Sequence, residues 1–465
     1  MATAEAAEPP TGIADARRAW RFAASEDGAR WAFWAAFAGS LVVLYVAGRH
    51  QWFIRDDWAL ILTRRRVLHD TGVANWLFYS QDGHWLTVPT LVFRVLTAVF
   101  GLGSYWPFLL TAMLPHLATV LVVRLLCRRH DVSEWTTTLL CTVLLVLGSG
   151  WENILFAVQI SYNLSLLGFL VQLLLTDHDG PIDWRDWLGL AAAFVGLLSS
   201  GFGPFFILGI AVFLVLRGRW LAAAVAAVPQ LVAYGWWYLA YARDAPTDVA
   251  AGGKSQVAAF TARALVATFT SVVGFATLAG VALLATLAVT CWRPAGRIQA
   301  VLVALAVTTV LMFAGIGVQR VGLGLQTAEA SRYVYMGAML LAPVFAVAVD
   351  RLALVAPPAL HAGRIILAAS ALLNIGQLLS FGSDWARRST CDELALSLVA
   401  GAPERTASLD PQYQPLAFSL DVRIVDLPYL VEESAITPRS PANQAEQVLL
   451  DAAVDPTRQA CPAPV

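Results

Sequence analysis

The stretch Ile54-Arg55-Asp56-Asp57-Trp58 places two adjacent carboxylates directly after the first strongly apolar segment of the chain. Ionisable groups at membrane level are rare, and they are usually paired, face a cavity or take part in function. An Asp-Asp pair at the mouth of an apolar segment therefore indicates a site, and the rest of the chain can be interpreted from this point outward.

The composition is that of a membrane protein. The chain has 465 residues, of which 58% are hydrophobic and 14% are charged, and its mean hydropathy is +0.64. Apolar runs of about 18 residues or more recur along it and predict membrane helices. The formal net charge of -1 and the lack of a long basic run argue against nucleic acid as a partner. We expect an all-α polytopic protein of the cell membrane that contacts membrane lipids.

The first apolar segment sets the predicted orientation. Residues 1–30 are polar and contain four arginines, so we expect a cytoplasmic tail. No small-residue cleavage site follows residues 31–48, which we interpret as a retained first helix that runs from inside to outside. Residues 49–105 then form a long outer segment. Its amphipathic pieces, 58–70 and 86–100, are expected to lie on the membrane surface as juxtamembrane helices.

The later apolar runs bring the predicted total to about eleven transmembrane helices, and every predicted inner loop carries at least one arginine. The expected spans are 31–48, 106–126, 135–150, 154–176, 187–200, a helix from Pro204 to about 216, 220–241, 263–290, 298–317, 333–355 and 364–380. A tight outer turn at Trp151-Glu152-Asn153 is expected between the third and fourth.

The predicted domain division follows from these spans. Residues 31–380 form the transmembrane catalytic domain, and residues 381–465 form a small polar extracytoplasmic segment. Alternation around 416–431 predicts one or two short strands in that segment. Cys391 and Cys461 both fall there, and outside the membrane they can form a disulfide. The alternative is that both are free thiols.

Unusual polar groups gather on the predicted outer face. They are Asp56, Asp57, Asp82, His84, Glu152, Arg320, Glu329 and Arg332. A carboxylate can take the proton of an attacking alcohol, and an arginine or a metal can stabilise a departing phosphate. Nucleotide sugars are not normally available outside the membrane, so a sugar donor would be carried there on a lipid. The acids and arginines together favour sugar transfer from a lipid-linked donor.

The layout resembles the GT-C superfamily of integral-membrane glycosyltransferases, which includes protein mannosyltransferases and actinobacterial arabinosyltransferases. Asp56-Asp57 matches the acidic motif of the first outer loop, and Glu152 matches the further acid of the second. Ser331-Arg332-Tyr333 resembles an arginine-tyrosine element of bacterial relatives. The resemblance implies transfer of a hexose or pentose from a polyprenyl-phosphate carrier to an envelope glycan, glycolipid or protein acceptor.

Each acidic residue also has a structural reading. Asp56 and Asp57 can simply cap the following helix, but we interpret Asp56 as the catalytic base and Asp57 as its support. Glu152 is either a third catalytic group or a solvated turn residue. If a divalent cation such as Mg²⁺ or Mn²⁺ takes part, these three carboxylates are its candidate ligands. No cofactor is assigned.

The remaining candidates concern the two substrates. Arg332, Arg320 and Tyr333 are expected to bind the donor phosphate, although an arginine here can also snorkel and a tyrosine can belong to the aromatic belt. Asp82 and His84 lie in a polar turn that can line the acceptor entrance, or they are structural. We interpret Arg64-Arg65-Arg66 as an anchor to anionic lipid headgroups.

Two other functions use similar substrates. A transporter or flippase of lipid-linked sugars would place facing ionisable groups near the bilayer midplane, often within internal repeats. No convincing repeat is visible in the sequence, and the ionisable residues cluster at helix ends. A polymerase or ligase of envelope polysaccharide would place arginines and a histidine in a large late outer loop. The loop 318–332 is short and contains no histidine.

Overall fold

The protein is described by a computed structural model for residues 25–245, 253–275, 296–353 and 357–455, and for residues 458, 460 and 461. Helices dominate these ranges. They are α1 (Glu26–Gly48), α2 (Arg64–Thr71), α3 (Val73–Phe78), α4 (Thr87–Phe100), α5 (Trp106–Arg129), α6 (Glu134–Leu145), α7 (Trp151–Leu155), α8 (Ile160–Thr176), α9 (Trp184–Leu197), α10 (Gly203–Leu216), α11 (Trp220–Trp237), α12 (Val257–Val273), α13 (Gly296–Arg320), α14 (Ser331–Ala353), α15 (Pro357–Ala400), α16 (Pro403–Thr406), α17 (Leu427–Glu432) and α18 (Gln444–Ala453). The strands β1 (Ser80–Gln81) and β2 (His84–Trp85) form a small antiparallel hairpin.

The chain is a multi-pass membrane protein. Within the described ranges, six helices are long and apolar enough to cross a membrane, namely α1, α5, α8 with the short turn before it, α13, α14 and α15. A seventh span results if α6 and the bent segment Gly148–Leu155 are counted together. Three shorter apolar helices are α4, α10 and α12. The all-α polytopic class is confirmed, whereas the count of eleven is not.

Local sequence signals explain several helix ends. The predicted break before Pro204 is present: α9 ends at Leu197 and α10 begins at Gly203, with the proline in its first turn, where no backbone donor is needed. At the start of α9, Asp183 and Asp186 form a capping box. At the start of α1, the Ser25 hydroxyl accepts a hydrogen bond from the Gly28 backbone N–H at 3.1 Å.

Small residues let the membrane helices approach closely. A Cβ on Gly168 of α8 would lie 2.5 Å from the Ala192 carbonyl oxygen of α9. A Cβ on Gly382 of α15 would lie 2.6 Å from the Ala47 carbonyl oxygen of α1. Backbone contact of this kind is typical of helix pairs in membranes. Helix α14 lies at the centre of the bundle, since 94% of its apolar stretch is buried inside the protein.

Three sequence predictions differ from the structure. The outer turn at Trp151-Glu152-Asn153 is instead the first part of the short helix α7. The helix predicted over 364–380 continues to Ala400, so the predicted boundary between 380 and 381 lies inside α15. The strands predicted around 416–431 are wrong, because the segment Ile424–Asp426 forms a 3-10 turn and α17 follows it.

Parts of other predictions lie outside the described residues. These parts include residues 1–24 of the predicted cytoplasmic tail, 276–290 of the helix predicted over 263–290, and 354–355 of the helix predicted over 333–355. The described part of that helix is α12, which begins at Val257, six residues earlier than expected.

The C-terminal segment folds back on the long helix α15. Cys391 of α15 and Cys461, the predicted pair, form a disulfide across 70 residues of sequence. The segment also contacts the first outer segment, where the Trp52 indole N–H donates to the Ala435 carbonyl oxygen at 3.3 Å. Arg66 of α2 pairs with Asp426 at 2.8 Å. The C-terminal segment therefore holds the region that contains the Asp-Asp motif.

Candidate active site

The Asp-Asp motif lies in a tight loop between α1 and a π-helical turn at Ala59–Thr63. Arg55 has φ 54, in the left-handed region that a non-glycine residue rarely adopts. Its backbone N–H donates to the Ser419 hydroxyl at 2.9 Å, and this hydroxyl donates to Asp392 of α15 at 2.9 Å. The chain reverses at Arg55, so the side chains of Asp56 and Asp57 have opposite environments. Asp56 is exposed, whereas Asp57 is completely buried.

Asp57 is the support of this loop. One of its carboxylate oxygens accepts from the Tyr105 hydroxyl at 2.8 Å, and the other accepts from the Val158 backbone N–H at 2.9 Å. The Tyr105 hydroxyl in turn accepts from the Ala157 backbone N–H at 2.9 Å. Burial raises the pKa of Asp57 to about 8 against the effect of these donors. Asp57 thus fastens the motif to the start of α5 and to the turn before α8.

Asp56 lines a small cavity of about 100 Å³. The predicted residues Asp82, His84, Arg320 and Arg332 line the same cavity. They come from the hairpin, the end of α13 and the start of α14, which are far apart in sequence. The structure therefore brings two exposed carboxylates, Asp56 and Asp82, and two guanidinium groups to a common space. A base and a phosphate clamp require such an arrangement.

Glu152 is not among the described residues that line this cavity. It lies behind Arg332 instead. Its carboxylate accepts from the Arg332 backbone N–H at 3.2 Å and lies 3.5 Å from the Arg332 guanidinium. The Arg55 guanidinium lies 3.9 Å from the same carboxylate, which is nearly fully buried. Glu152 is therefore placed to orient the two arginines and not to contact a substrate.

Tyr333 is buried, and its ring packs against the Arg332 guanidinium, whose carbon lies 5.1 Å from the ring centroid. The cavity lining does not include Tyr333. Arg320 is the last residue of α13 and reaches the cavity directly. Of the three predicted donor-phosphate residues, two arginines face the cavity and the tyrosine stacks behind one of them.

His84 is a half-buried residue of the hairpin. Its Nδ1 accepts from the Gly201 backbone N–H at 2.9 Å, which ties the hairpin to the break between α9 and α10. Burial, with the positive charges of Arg320 and Arg332, lowers the pKa of His84 to about 4. The imidazole is therefore neutral at physiological pH. Asp82 occupies the turn of the hairpin with φ 51 and is exposed at the cavity.

Sequence reasoning missed three polar residues of this cavity, namely Gln159, Ser161 and Tyr162. Gln159 ends the short turn before α8, and Ser161 and Tyr162 lie in the first turn of α8. The ring of Tyr162 packs against Phe202 and His84. The buried Gln159 Oε1 has no hydrogen-bond partner among the described residues. The sequence signal that could have identified these residues is a group of polar side chains at the start of an otherwise apolar helix.

The predicted metal-ligand set does not converge. Both oxygens of Asp57 are used inside the protein fold, and those of Glu152 face Arg55 and Arg332. Asp56 is the member of the set that faces the cavity. Elsewhere in the described ranges, His178, Asp183 and Asp186 place ligand atoms within 4.8 Å of one another. Arg219 and Arg185 already pair with these acids, which gives the cluster a structural role at the start of α9.

Comparison with solved structures identifies a similar fold. A crystal structure of ArnT from Cupriavidus metallidurans bound to undecaprenyl phosphate has a TM-score of 0.51 and 16% identity, over 91% of this chain and 88% of that one. The apo structure of the same protein has a TM-score of 0.53 and 15% identity, over 87% and 88%. No protein-family model and no curated protein matches the chain. The chain therefore has a polytopic fold similar to that of ArnT.

Proposed function

We propose that this protein is a glycosyltransferase that moves a sugar from a polyprenyl-phosphate carrier to an acceptor at the extracytoplasmic face of the cell membrane. The observation that supports this most strongly is the shared cavity of Asp56, Arg320 and Arg332. A base and two phosphate-binding cations in one cavity suit glycosyl transfer, in which the acceptor hydroxyl loses a proton and the departing phosphate gains negative charge.

The proposed reaction is a direct displacement. The Asp56 carboxylate takes the proton of an acceptor hydroxyl, and the hydroxyl oxygen forms a bond to the anomeric carbon of the donor sugar. The bond from that carbon to the phosphate oxygen breaks, and polyprenyl phosphate leaves with an additional negative charge. Arg320 and Arg332 stabilise this charge through N–H donors, and Glu152 keeps Arg332 in place.

The polyprenyl carrier is supported by the fold comparison. The similar ArnT structure contains undecaprenyl phosphate, a lipid whose headgroup is the group that two arginines would hold. The sugar and the acceptor, whether glycan, glycolipid or protein, remain part of the proposal and are identified by the experiment below.

Two features support an extracytoplasmic active site. The disulfide between Cys391 and Cys461 favours an oxidising compartment, and the segment that it closes contacts the motif loop through Ser419. Helix α5 starts beside Asp57 and ends with Arg128 and Arg129, about 36 Å away along its axis. Arginines at the far end of the helix fit a cytoplasmic position there.

The test is sugar transfer by purified protein from a panel of polyprenyl-phosphate sugars, with candidate acceptors added. We expect transfer by the wild type from one donor class and a loss of at least about a hundredfold in Asp56→Asn, since general base catalysis contributes roughly 10²–10⁴-fold. A matched control is Asp384→Asn, which changes an exposed aspartate on α15. Full activity of the folded Asp56→Asn protein would refute the base assignment.

The alternative is a transporter or flippase of lipid-linked sugars without chemistry. The same purified proteins and lipids distinguish the two functions, because binding of the lipid to the protein can be measured without an acceptor. Binding of the carrier lipid without transfer, equal in wild type, Asp56→Asn and Asp57→Asn, would favour transport.

A further inference from the structure

A second and larger cavity of about 530 Å³ lies next to the candidate active site. It is a groove between α2, α4 and the C-terminal segment, and we call it the arginine groove. Its basic lining residues are Arg64, Arg65, Arg66, His69 and Arg94. Leu60 lines both the arginine groove and the cavity of Asp56, so the two spaces are neighbours.

The groove carries positive charge that the acidic groups of the protein neutralise only in part. Asp70 is the acidic residue of its described lining, and it contacts His69 at 2.8 Å. Arg66 pairs with Asp426. Within the described ranges, no ion pair joins Arg64, Arg65 or Arg94 to a carboxylate. A ligand for this surface would therefore be an anion.

Two of these arginines are held in fixed positions. Arg64 is nearly fully buried and donates to the Trp76 carbonyl oxygen at 2.7 Å and to the Tyr79 carbonyl oxygen at 3.1 Å. The Arg65 guanidinium carbon lies 4.2 Å from the ring centroid of Tyr429. Preorganised guanidinium groups lose little conformational entropy when they bind a planar or tetrahedral oxyanion.

The lining also contains buried polar atoms that lack a protein partner. The Thr90 hydroxyl and the Arg64 Nε have no hydrogen-bond partner among the described residues, and both side chains are 1% exposed. Buried polar atoms are normally paired, so two orphaned ones in the lining of one groove indicate that a polar ligand or water completes them.

The same helix offers an apolar surface. Leu91, Val95 and Val99 are exposed on α4 at a spacing of four residues, which places them on one face. Thr90 and Arg94 of that helix line the groove. Helix α4 thus joins a cationic pocket to an apolar stripe, which is the pattern that recognises a charged headgroup and a hydrocarbon chain together.

We propose that the arginine groove binds the phosphate-bearing headgroup of an amphiphilic acceptor, whose hydrocarbon chain lies along the exposed face of α4. The role of this amphiphile as the acceptor rests on the proposed function. The position of the groove supports this role, because Leu60 lines both the groove and the cavity that contains Asp56. An amphiphile seated here approaches the base while Arg320 and Arg332 hold the donor phosphate.

The first experiment measures binding alone, with full-length protein in neutral detergent micelles. The probes are dioleoyl phosphatidic acid, dioleoyl phosphatidylcholine and inorganic phosphate. The variants are Arg65→Gln with Arg94→Gln, and Thr90→Val, which removes a hydroxyl without a protein partner. The control is Arg387→Gln with Arg439→Gln, which removes the same charge from exposed arginines elsewhere.

We expect phosphatidic acid to bind the wild type, about tenfold or more weaker binding in the double arginine variant, and about threefold weaker binding in Thr90→Val. The control should stay within about twofold of the wild type. Equal affinity in wild type and the double arginine variant would overturn the proposal. Phosphatidylcholine binding as tightly as phosphatidic acid would also overturn it, because the choline balances the charge of that phosphate and an anionic headgroup would then have no advantage. Inorganic phosphate competing at equal concentration would overturn it too, because the hydrocarbon chain would then contribute nothing.

A second experiment separates this inference from the proposed function. Asp56→Asn should bind phosphatidic acid like the wild type, whether or not sugar transfer is found. Groove-dependent binding without transfer by the wild type would contradict the glycosyltransferase and leave the lipid site standing. Transfer by the double arginine variant with an unchanged acceptor KM would overturn the acceptor role.

Discussion

Glu152 holds Arg332 at two points: its carboxylate accepts the Arg332 backbone N–H at 3.2 Å and lies 3.5 Å from the guanidinium. Arg55 approaches the same carboxylate at 3.9 Å. One acid of the short helix α7 thereby links the motif loop to the start of α14, although 180 residues separate it from Arg332. This link, and not contact with a substrate, is the role that the geometry gives to Glu152.

We predict that Glu152→Gln lowers kcat/KM by roughly 10–100-fold, mainly through a higher KM for the donor, because a charge-assisted contact to a buried group contributes about 1.5–3 kcal/mol. Initial rates over a range of donor concentrations would measure it. Glu329→Gln is the control, since Glu329 pairs with Arg263 at an exposed position. A loss confined to kcat with an unchanged donor KM would contradict the positioning role.

The pH dependence of stability should carry the signature of Asp57. Its pKa rises from 3.8 to about 8 on folding because the carboxyl is buried. Between these values the unfolded chain loses the proton while the folded protein keeps it, so the stability contribution is full below 3.8 and declines as pH rises towards 8. Thermal unfolding of wild type and Asp57→Asn across this range would measure the difference.

We expect the wild type to lose more thermal stability than Asp57→Asn between pH 5 and pH 8, an interval chosen inside the window of the shift. Asp56→Asn, which alters the exposed neighbour, should keep the slope of the wild type. Identical slopes for wild type and Asp57→Asn would show that Asp57 titrates at an ordinary pKa.

The hydroxyl of Ser419 should matter for activity although it lies in the C-terminal segment. It accepts from the Arg55 backbone N–H and donates to Asp392, and it thus maintains the left-handed turn that exposes Asp56. We predict that Ser419→Ala reduces kcat about tenfold, since one buried hydrogen bond contributes about 1 kcal/mol and a misplaced base adds to the loss. Ser419→Thr should recover most of the rate.

Steady-state kinetics with Ser408→Ala as the control, an exposed serine of the same segment, would test this. A lower melting temperature with an unchanged kcat would indicate that Ser419 supports the fold and has no influence on the motif loop.

The disulfide should stabilise the motif loop together with the C-terminal segment. Closing a loop of 70 residues contributes roughly 4 kcal/mol in the chain-entropy treatment. We predict that Cys391→Ser with Cys461→Ser lowers the melting temperature and the transfer rate together, because Ser419 lies within the closed loop. The control is Cys127→Ala with Cys141→Ala, two free buried cysteines. An unchanged melting temperature in the variant with Cys391→Ser and Cys461→Ser would show that packing alone holds the C-terminal segment in place.

Chelation of divalent cations tests the predicted metal ligands. Asp57 directs its oxygens into the protein and Glu152 faces Arg332, whereas Asp56 faces the cavity, so the three carboxylates do not point to a common space. We predict that EDTA changes the transfer rate by less than about twofold. A larger loss that Mg²⁺ or Mn²⁺ reverses would mean that Asp56 holds a cation with Asp82, the other acid of its cavity.

The sequence by itself determined the class of the protein and the elements of its site. Long apolar runs must become membrane helices because the bilayer leaves backbone groups no other partner. An Asp-Asp pair and late arginines at helix ends stand out against that background, and Asp56, Arg320 and Arg332 do meet in one cavity. The cysteines of the last segment were also recognisable as a pair, and they are joined in the structure.

The tertiary structure decided which of these residues face the cavity. Sequence alone does not show that Arg55 turns the chain so that Asp57 is buried and Asp56 exposed. Nor does it show that Glu152 lies behind Arg332, or that Tyr162 reaches the cavity. Periodicity reports which residues avoid water, but distances between helices depend on packing among residues hundreds of positions apart. For the same reason α15 continues to Ala400: the folded C-terminal segment covers its end, which no local pattern records.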